Sequence, residues 1–230
     1  MINICIIPAR RNSKRIKQKN IKIFFGKPII YWSIKAAIKS KCFDKIIVST
    51  DSKKIAQISK KYGAEVPFLR PKNLSGDHVP VAPVLRYTIN KLGGVNKVKN
   101  VCCLLATAPF IDPRNLQKGL KILKKKKVEF VFSATGYDFP IEKFFNINKK
   151  GILKNFKKKF LNKRSQDFQK AYHDAAQFYW ASAKTFLSKK TIYTGKSFPY
   201  LIPNYESNDV DDPNDWKKTE IIFRLKKRLI

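Results

Sequence analysis

Short apolar runs alternate with amphipathic segments along most of this chain. Residues 3–8 are rich in β-branched side chains and read as a buried strand. Residues 46–50 read as a second strand. Asp51 or Ser52 is placed to cap the helix that follows, in which Ile55, Ile58 and Tyr62 recur at helical spacing and Gly63 ends the run. Residues 66–69 read as a short strand. Leu85, Ile89 and Leu92 mark a helix that stops at Gly93-Gly94, and residues 101–105 form another strand. Asp112 followed by Pro113 is a cap with proline at the first helical position, and Leu116, Leu120 and Leu123 are that helix's apolar stripe. Residues 128–133 read as a further strand. Strands alternating with helices predict an α/β fold, a parallel sheet with helices on both faces.

The alternation breaks after Ala134. From Tyr137 to about Tyr172 the chain is irregular and rich in Phe, Lys and Asn, and strand patterning resumes only over residues 177–180. An excursion of this length inside an α/β domain is usually functional or an interaction arm. The last helix is expected from Pro213 to about Lys227, with Asp212 as N-cap and Asp215 as a favourable first-turn charge. The expected organisation is one domain over residues 1–230, with residues 137–172 as an inserted arm.

Composition narrows the class. A hydrophobic share of 43% with 13% aromatics belongs to a globular chain rather than a disordered one. No apolar run approaches the ~18 residues a membrane span needs, and the N-terminus places apolar residues before charges, the reverse of a signal peptide. A soluble, cytoplasmic protein with no membrane partner is expected. The four cysteines lack any Cys-x-x-Cys spacing and only two histidines are present, so buried reduced thiols are expected rather than a zinc site. The net charge of +33 invites a nucleic-acid partner. Lysines occur along nearly the whole chain instead of clustering, which favours a uniformly basic surface and no specific nucleic acid.

Several common sites are missing: there is no Walker A loop, no Gly-x-Gly-x-x-Gly after a strand and no Gly-x-Ser-x-Gly elbow. What remains suits phosphate, metal and sugar chemistry. The first strand runs straight into a cationic loop containing Arg10, Arg11, Lys14, Arg15, Lys17 and Lys19, with Ser13 and Asn20 as hydrogen-bonding groups. A loop at the carboxyl end of a parallel strand is where open α/β sheets bind ligands, and polyphosphate suits this one. Asp209 and Asp211 stand two apart. If the chain is extended there, both point to one face and suit Mg²⁺, which takes one or two carboxylates plus phosphate oxygens and water. A third group combines Arg164, Ser165 and Gln166 with Tyr172, His173, Asp174, Gln177 and Tyr179: one cation, amides, an imidazole, a carboxylate and aromatics. That mixture suits a sugar acid, although His173 could equally be a satisfied structural histidine. Between these groups, residues 154–163 interleave Lys with Phe156 and Phe160, which reads as a solvated arm.

Taken in order, these motifs resemble the acylneuraminate cytidylyltransferase family, the CMP-sialic acid synthetases. The likeness runs from Ile7-Pro8-Ala9-Arg10 with Ser13-Lys14 and Lys19-Asn20, through Gly26-Lys27-Pro28, Val48-Ser49-Thr50-Asp51, Phe68-Leu69-Arg70-Pro71 and Ala106-Thr107-Ala108-Pro109, to Asp209-Val210-Asp211 and Asp215-Trp216. Arg164-Ser165-Gln166-Asp167 with Ala171-Tyr172-His173-Asp174 and Gln177-Phe178-Tyr179-Trp180 is most similar to the pseudaminic acid branch. The resemblance implies a Rossmann-like three-layer sandwich of the nucleotide-diphospho-sugar transferase type, joining CMP from CTP to a nine-carbon sugar acid.

By motif it carries Arg10, Ser13, Lys14, Lys19 and Asn20 onto the CTP loop, Arg70 onto a nucleotide contact, Asp209 and Asp211 onto metal carboxylates, and Arg164 and Tyr179 onto the sugar region. The irregular arm corresponds to the family's dimerisation segment, implying a homodimer. The expected chemistry is Mg²⁺-assisted in-line attack of the anomeric hydroxyl on the α-phosphate. Arg10 and Lys19 would stabilise the leaving pyrophosphate, and Asp209 is a candidate base only if it does not merely bind metal. Three departures stand out: Arg11-Asn12 where the family has glycine, Val79 and Val81 where hydroxyls are frequent, and Ala176 where glycine is usual.

Overall fold

The structure is a computed structural model that describes residues 1–154, 157–160 and 162–228. In chain order it contains β1 (Ile2–Pro8), the short hairpin β2 (Ile23–Phe24) and β3 (Lys27–Pro28), α1 (Ile29–Ser40), β4 (Lys45–Ser49), α2 (Lys53–Lys61), α3 (Val81–Lys91), α4 (Gly94–Lys97), β5 (Val98–Leu104) and α5 (Pro113–Lys125). There follow β6 (Phe130–Gly136), the hairpin β7 (Asn146–Ile147) and β8 (Leu153–Lys154), β9 (Tyr172–Ser182), α6 (Ala183–Leu187), β10 (Ser197–Leu201) and α7 (Pro213–Arg228). Six strands form the central sheet in the order β10-β6-β9-β5-β1-β4. β4, β1 and β5 are mutually parallel, as are β6 and β10, and β9 runs antiparallel between β5 and β6.

The period-two alternation of β1 sorts its side chains onto two cores. Cys5 and Ile7 point to the face covered by α1, α2 and α5, where Ile34, Ile55 and Leu116 are buried. Ile4 and Ile6 point to the face covered by α3 and α6, where Leu85, Ile89 and Phe186 are buried. This is the three-layer sandwich expected from the alternation. The caps form as read: Ser52 Oγ accepts the Ile55 amide at 3.3 Å, and Asp112 Oδ1 accepts the Arg114 amide at 2.8 Å. Gly119 lets α5 sit close on the sheet; a Cβ there would lie 2.9 Å from Trp180.

A third core lies outside the sheet and sets the site. Ile16 from the cationic loop, Phe24, Ile29, Phe110, Val210, Trp216 and Phe223 pack together. The Phe24 ring meets Trp216 at 5.6 Å and Phe223 at 4.9 Å, both edge-on. Burying Val210 completely contributes about 1.5–3 kcal/mol. That burial fixes the acidic turn before α7 against the loop after β1.

Two expectations are corrected, and one strand was not expected at all. Residues 66–69 form no strand: Glu65 makes a single bridge to Ile47 on the sheet edge, and Pro67 has no N–H to carry the ladder on. β9 is longer than residues 177–180 and begins inside what was read as arm. β10 carries Pro199 at its centre, which is tolerated because this strand forms the sheet's other edge. The arm itself contains only short 3-10 turns and the β7–β8 hairpin among the described residues. Phe156 lies outside the described residues.

Candidate active site

The chain leaves β1 at Pro8 and runs along the sheet's carboxyl end. The Ala9 amide donates to Ser49 O at 2.9 Å and the Arg11 amide to Asp51 Oδ1 at 2.7 Å, which anchor the first part of the loop to β4 and its exit. Asn20 Nδ2 donates to Arg10 O at 3.0 Å, so Asn20 holds the loop's backbone. Gln18 takes the left-handed conformation, with φ 52°, and starts the single 3-10 turn that carries Lys19. Arg11 and Asn12 do not have positive φ, so the backbone seen here does not require the glycines of relatives at those positions.

A cavity of about 530 Å³ opens beside this loop. Arg10, Ser13, Lys14, Lys19, Asn20, Arg70, Asp209 and Asp211 all line it. These phosphate, nucleotide and metal candidates therefore share one surface, whereas Arg11 and Lys17 of the same loop lie off it. The acids come from a different local structure than expected. Residues 204–206 form a 3-10 turn, so the stretch before Asp209 is not one extended strand. Instead Asp215 Oδ2 accepts the Asp211 and Asp212 amides, each at 2.9 Å, and Asp212 Oδ1 accepts the Asn214 amide at 2.7 Å. With Val210 buried between them, Asp209 and Asp211 both face the cavity.

Charges in the cavity are paired across it. Asp77 meets Arg10 at 3.0 Å and Lys14 at 2.6 Å. Lys14, then Arg10, holds the Asp77 carboxyl below its ordinary range. Asp211 meets Arg15 at 2.9 Å and Lys19 at 3.4 Å, and Lys19 Nζ also donates to Val210 O at 2.5 Å. Asp209 lines the cavity with its side chain still open to solvent. The protein around it, and then Asp211, raises its proton affinity, which Lys19 partly opposes. Asp77 was missed in the sequence, and Arg15 was read only as one charge of the cationic loop. In a chain with 16 acids against 49 bases, an isolated Gly76-Asp77-His78 turn was the available signal.

Arg70 is 6% exposed, and its Nε and Nη2 have no partner among the described residues. Burial pulls its proton affinity down and Asp51 opposes that shift. A buried guanidinium with free donors on a cavity wall is made for an acceptor-rich ligand. Val79 and Val81 give the cavity an apolar wall nearby. Asp209 and Asp211 fit a hard cation only as a partial set. No group of three metal-ligating side chains exists among the described residues, so phosphate oxygens and water would complete the shell.

The sugar candidates separate. His173 and Asp174 line a second cavity of about 430 Å³ that shares Asp209 with the first. Asp174 is held there by the Ala176 amide at 2.8 Å and the Tyr179 hydroxyl at 2.7 Å. Tyr179 is itself a support: burial, then Asp174, drives its phenol far above the usual range. Gln177 is 3% exposed and ties β9 to the 3-10 turn by donating from Nε2 to Glu206 O at 2.6 Å, away from both cavities. Tyr172 lines an adjoining hollow with Lys170 and Leu201, which shares Gly136, Tyr137, Asp138 and Asn204 with the second cavity. Arg164 pairs with Asp167 at 3.0 Å on the exposed arm, and neither Arg164 nor Gln166 lines the two cavities.

This layout depends on a wide bulge. The β6–β9 register jumps from Phe132↔Tyr179 to Ala134↔Asp174, leaving residues 175–178 opposite Ser133 alone. Ser133 Oγ accepts the amides of Gln177 and Phe178 at 3.0 and 3.2 Å. Ala176, at the bulge, has φ 51°.

Residues 4–218 match the cytidylyltransferase family. The chain is a member of that family. This cytidylyltransferase is 38% identical over 226 residues to the pseudaminic acid cytidylyltransferase of Campylobacter jejuni, covering 98% of this chain and 97% of that one. It is 31% identical over 237 residues to the CMP-N,N'-diacetyllegionaminic acid synthase of Legionella pneumophila, covering 99% and 98%. Its fold is similar to that of a CMP:2-keto-3-deoxy-manno-octonic acid synthetase complexed with CTP, with a TM-score of 0.73 at 14% identity over 97% of this chain and 99% of that one. No helix of the described residues is long and apolar enough to cross a membrane.

Proposed function

We propose that this cytidylyltransferase transfers CMP from CTP to pseudaminic acid, releasing pyrophosphate. The observation that carries the reading is the meeting of two cavities at Asp209, one lined by Arg10, Lys14, Lys19 and Arg70 and the other by polar groups of β9 and α7. The first suits a nucleoside triphosphate and the second a polar sugar. The choice of sugar follows the 38% identity to the Campylobacter jejuni enzyme, against 31% to the legionaminic acid enzyme.

The anomeric hydroxyl attacks the α-phosphorus in line. A bond forms from the anomeric oxygen to phosphorus, the bond to the α,β-bridging oxygen breaks, and pyrophosphate leaves with the electron pair. Catalysis is mostly positioning and charge neutralisation, in which one well-placed donor is worth roughly 10²–10³ in rate. Arg10 and Lys19 serve the leaving pyrophosphate, with Ser13, Lys14 and Asn20 shaping the loop around it. Arg70 serves the nucleotide. Asp209, facing both cavities, takes the hydroxyl proton. Asp209 and Asp211 would hold Mg²⁺, which supplies charge neutralisation at the α-phosphate.

The arm supports a homodimer. Phe139 is 78% exposed, and Ile141, Phe144 and Phe145 are exposed near it in sequence, apolar side chains suited to burial against a second copy. In such a dimer Arg164 and Gln166 would serve the partner's sugar site. A cytoplasmic location follows from the use of CTP. Pyrophosphate release with CTP and a panel of pseudaminic, legionaminic, sialic and keto-deoxyoctonic acids tests the reading. Turnover of pseudaminic acid is expected; use of another acid instead would replace the sugar assignment. Failure with every acid, together with tight structure-selective nucleic-acid binding, would replace the enzyme reading.

A further inference from the structure

We propose that Lys218 is the anchor for the carboxylate of the sugar acid. The inference deepens the proposed function and rests on it. An acid whose anomeric carbon bears its carboxylate carries that charge one bond from the attacking carbon. The group that binds it must therefore stand on the acceptor cavity close to the point where that cavity meets the nucleotide site.

Asp209 marks this point, because it lines both cavities. The acceptor cavity is otherwise short of cations. Its lining contains the carboxylates of Asp138, Asp174 and Asp209, the imidazole of His173, and one lysine, Lys218. Asp174 is already engaged by the Ala176 amide and the Tyr179 hydroxyl, so it is an acceptor for hydroxyls and amides and repels a carboxylate. His173 uses Nδ1 against the Asp174 carbonyl at 2.9 Å and packs on Tyr137 at 4.6 Å.

Lys218 alone brings an uncommitted full charge: it forms no ion pair among the described residues. The contrast with the nucleotide cavity is sharp, since Arg10, Lys14, Arg15 and Lys19 are all paired with acids there. The position is also rigid at its root. Lys218 is itself exposed but lies on α7 between Trp216 and Thr219, both buried, and Thr219 Oγ1 donates to Asp215 O at 2.6 Å. Arg164, the cation of the sugar group read from the sequence, is paired with Asp167 and lies off both cavities of its own protomer.

The test compares Lys218→Met and Lys218→Arg with the wild-type enzyme by steady-state pyrophosphate release, using whichever acid of the panel the wild type accepts, with CTP binding followed by calorimetry. Lys218→Met is expected to raise KM for the acid roughly 10- to 100-fold, the loss of one charge-assisted contact. KM for CTP and CTP affinity should stay near wild type, and Lys218→Arg should recover most of the loss. A substrate amide replacing the carboxylate should be a poor substrate for the wild type and no worse for Lys218→Met. An unchanged KM for the acid in Lys218→Met, or equal losses for acid and CTP, would overturn the assignment while leaving the proposed function standing. A wild type that accepts no acid overturns the proposed function and this inference with it.

Discussion

Lys19 and Asp211 stand 192 residues apart in sequence and 3.4 Å apart as an ion pair. Lys19 also holds the carbonyl of buried Val210, so one side chain joins the loop after β1 to the turn before α7. Asp211→Ala is expected to lower Mg²⁺-dependent turnover by about 100-fold or more, read by pyrophosphate release across a Mg²⁺ titration. Thermal stability should change little, because half-exposed ion pairs contribute about 0–1 kcal/mol. Turnover near wild type would remove Asp211 from the metal site.

Arg70 makes an unusual stability prediction. Its buried guanidinium has two donors without protein partners, a cost to the ligand-free fold. Arg70→Leu is expected to leave the melting temperature unchanged or raise it without ligand. The same variant should weaken CTP roughly 10- to 100-fold and abolish most of the CTP-dependent rise in melting temperature. Differential scanning with and without CTP reads both effects; a strongly destabilised fold with intact CTP binding would make Arg70 structural.

Ala176 sits at φ 51°, where a Cβ is penalised. Ala176→Gly should therefore stabilise the protein by roughly 0.5–1 kcal/mol, a net figure because glycine gains freedom in the unfolded chain. A urea midpoint shifted upward at constant slope is the expected result. A downward shift would mean that the alanine methyl contributes more by packing at the bulge than it costs in strain.

Asp112 caps α5, and its carboxyl is held below the ordinary value of 3.8: burial pushes it up, but the side-chain and backbone bonds of Arg114 outweigh that. A depressed folded value means the cap's ionic contribution is present above the unfolded value and lost as pH falls through the lower, folded one. Asp112→Ala should cost about 1 kcal/mol near neutral pH, with the gap narrowing below about pH 4. Urea melts of both proteins between neutral pH and about pH 3 check the sign. A constant difference would assign the loss to packing instead.

The nucleotide half of the site was legible because local signals and chemistry coincide there. A β-branched strand, a cationic loop and a capped acidic turn each announce themselves within a few residues. Their meeting depends on Ile16, Val210 and Trp216 finding one another in the third core, which periodicity does not reveal. The sugar half was less legible. Tyr179 and Gln177 look like ligands by type, yet the bulge at residues 175–178 turns them into supports for Asp174 and for the Glu206 turn. A bulge that size follows from pairing with β6, which residues on β9 alone do not encode. The same holds for β10, where central Pro199 argues against a strand until the strand's edge position is known.

The ion pairs in the nucleotide cavity have a thermodynamic consequence. Arg10 and Lys14 share Asp77, while Arg15 and Lys19 share Asp211. An incoming anion must therefore outbid carboxylates, and a triphosphate concentrates several charges where a nucleic-acid backbone offers one per residue. In a chain of net charge +33, these pairs would favour a compact triphosphate in the cleft over the polyanions that the outer surface attracts. In the proposed reaction, movement of Arg15 and Lys19 onto phosphate would release Asp211 for a cation. Nucleotide and Mg²⁺ would then each raise the other's affinity by the same factor, a counterion exchange built into the two ion-pair clusters.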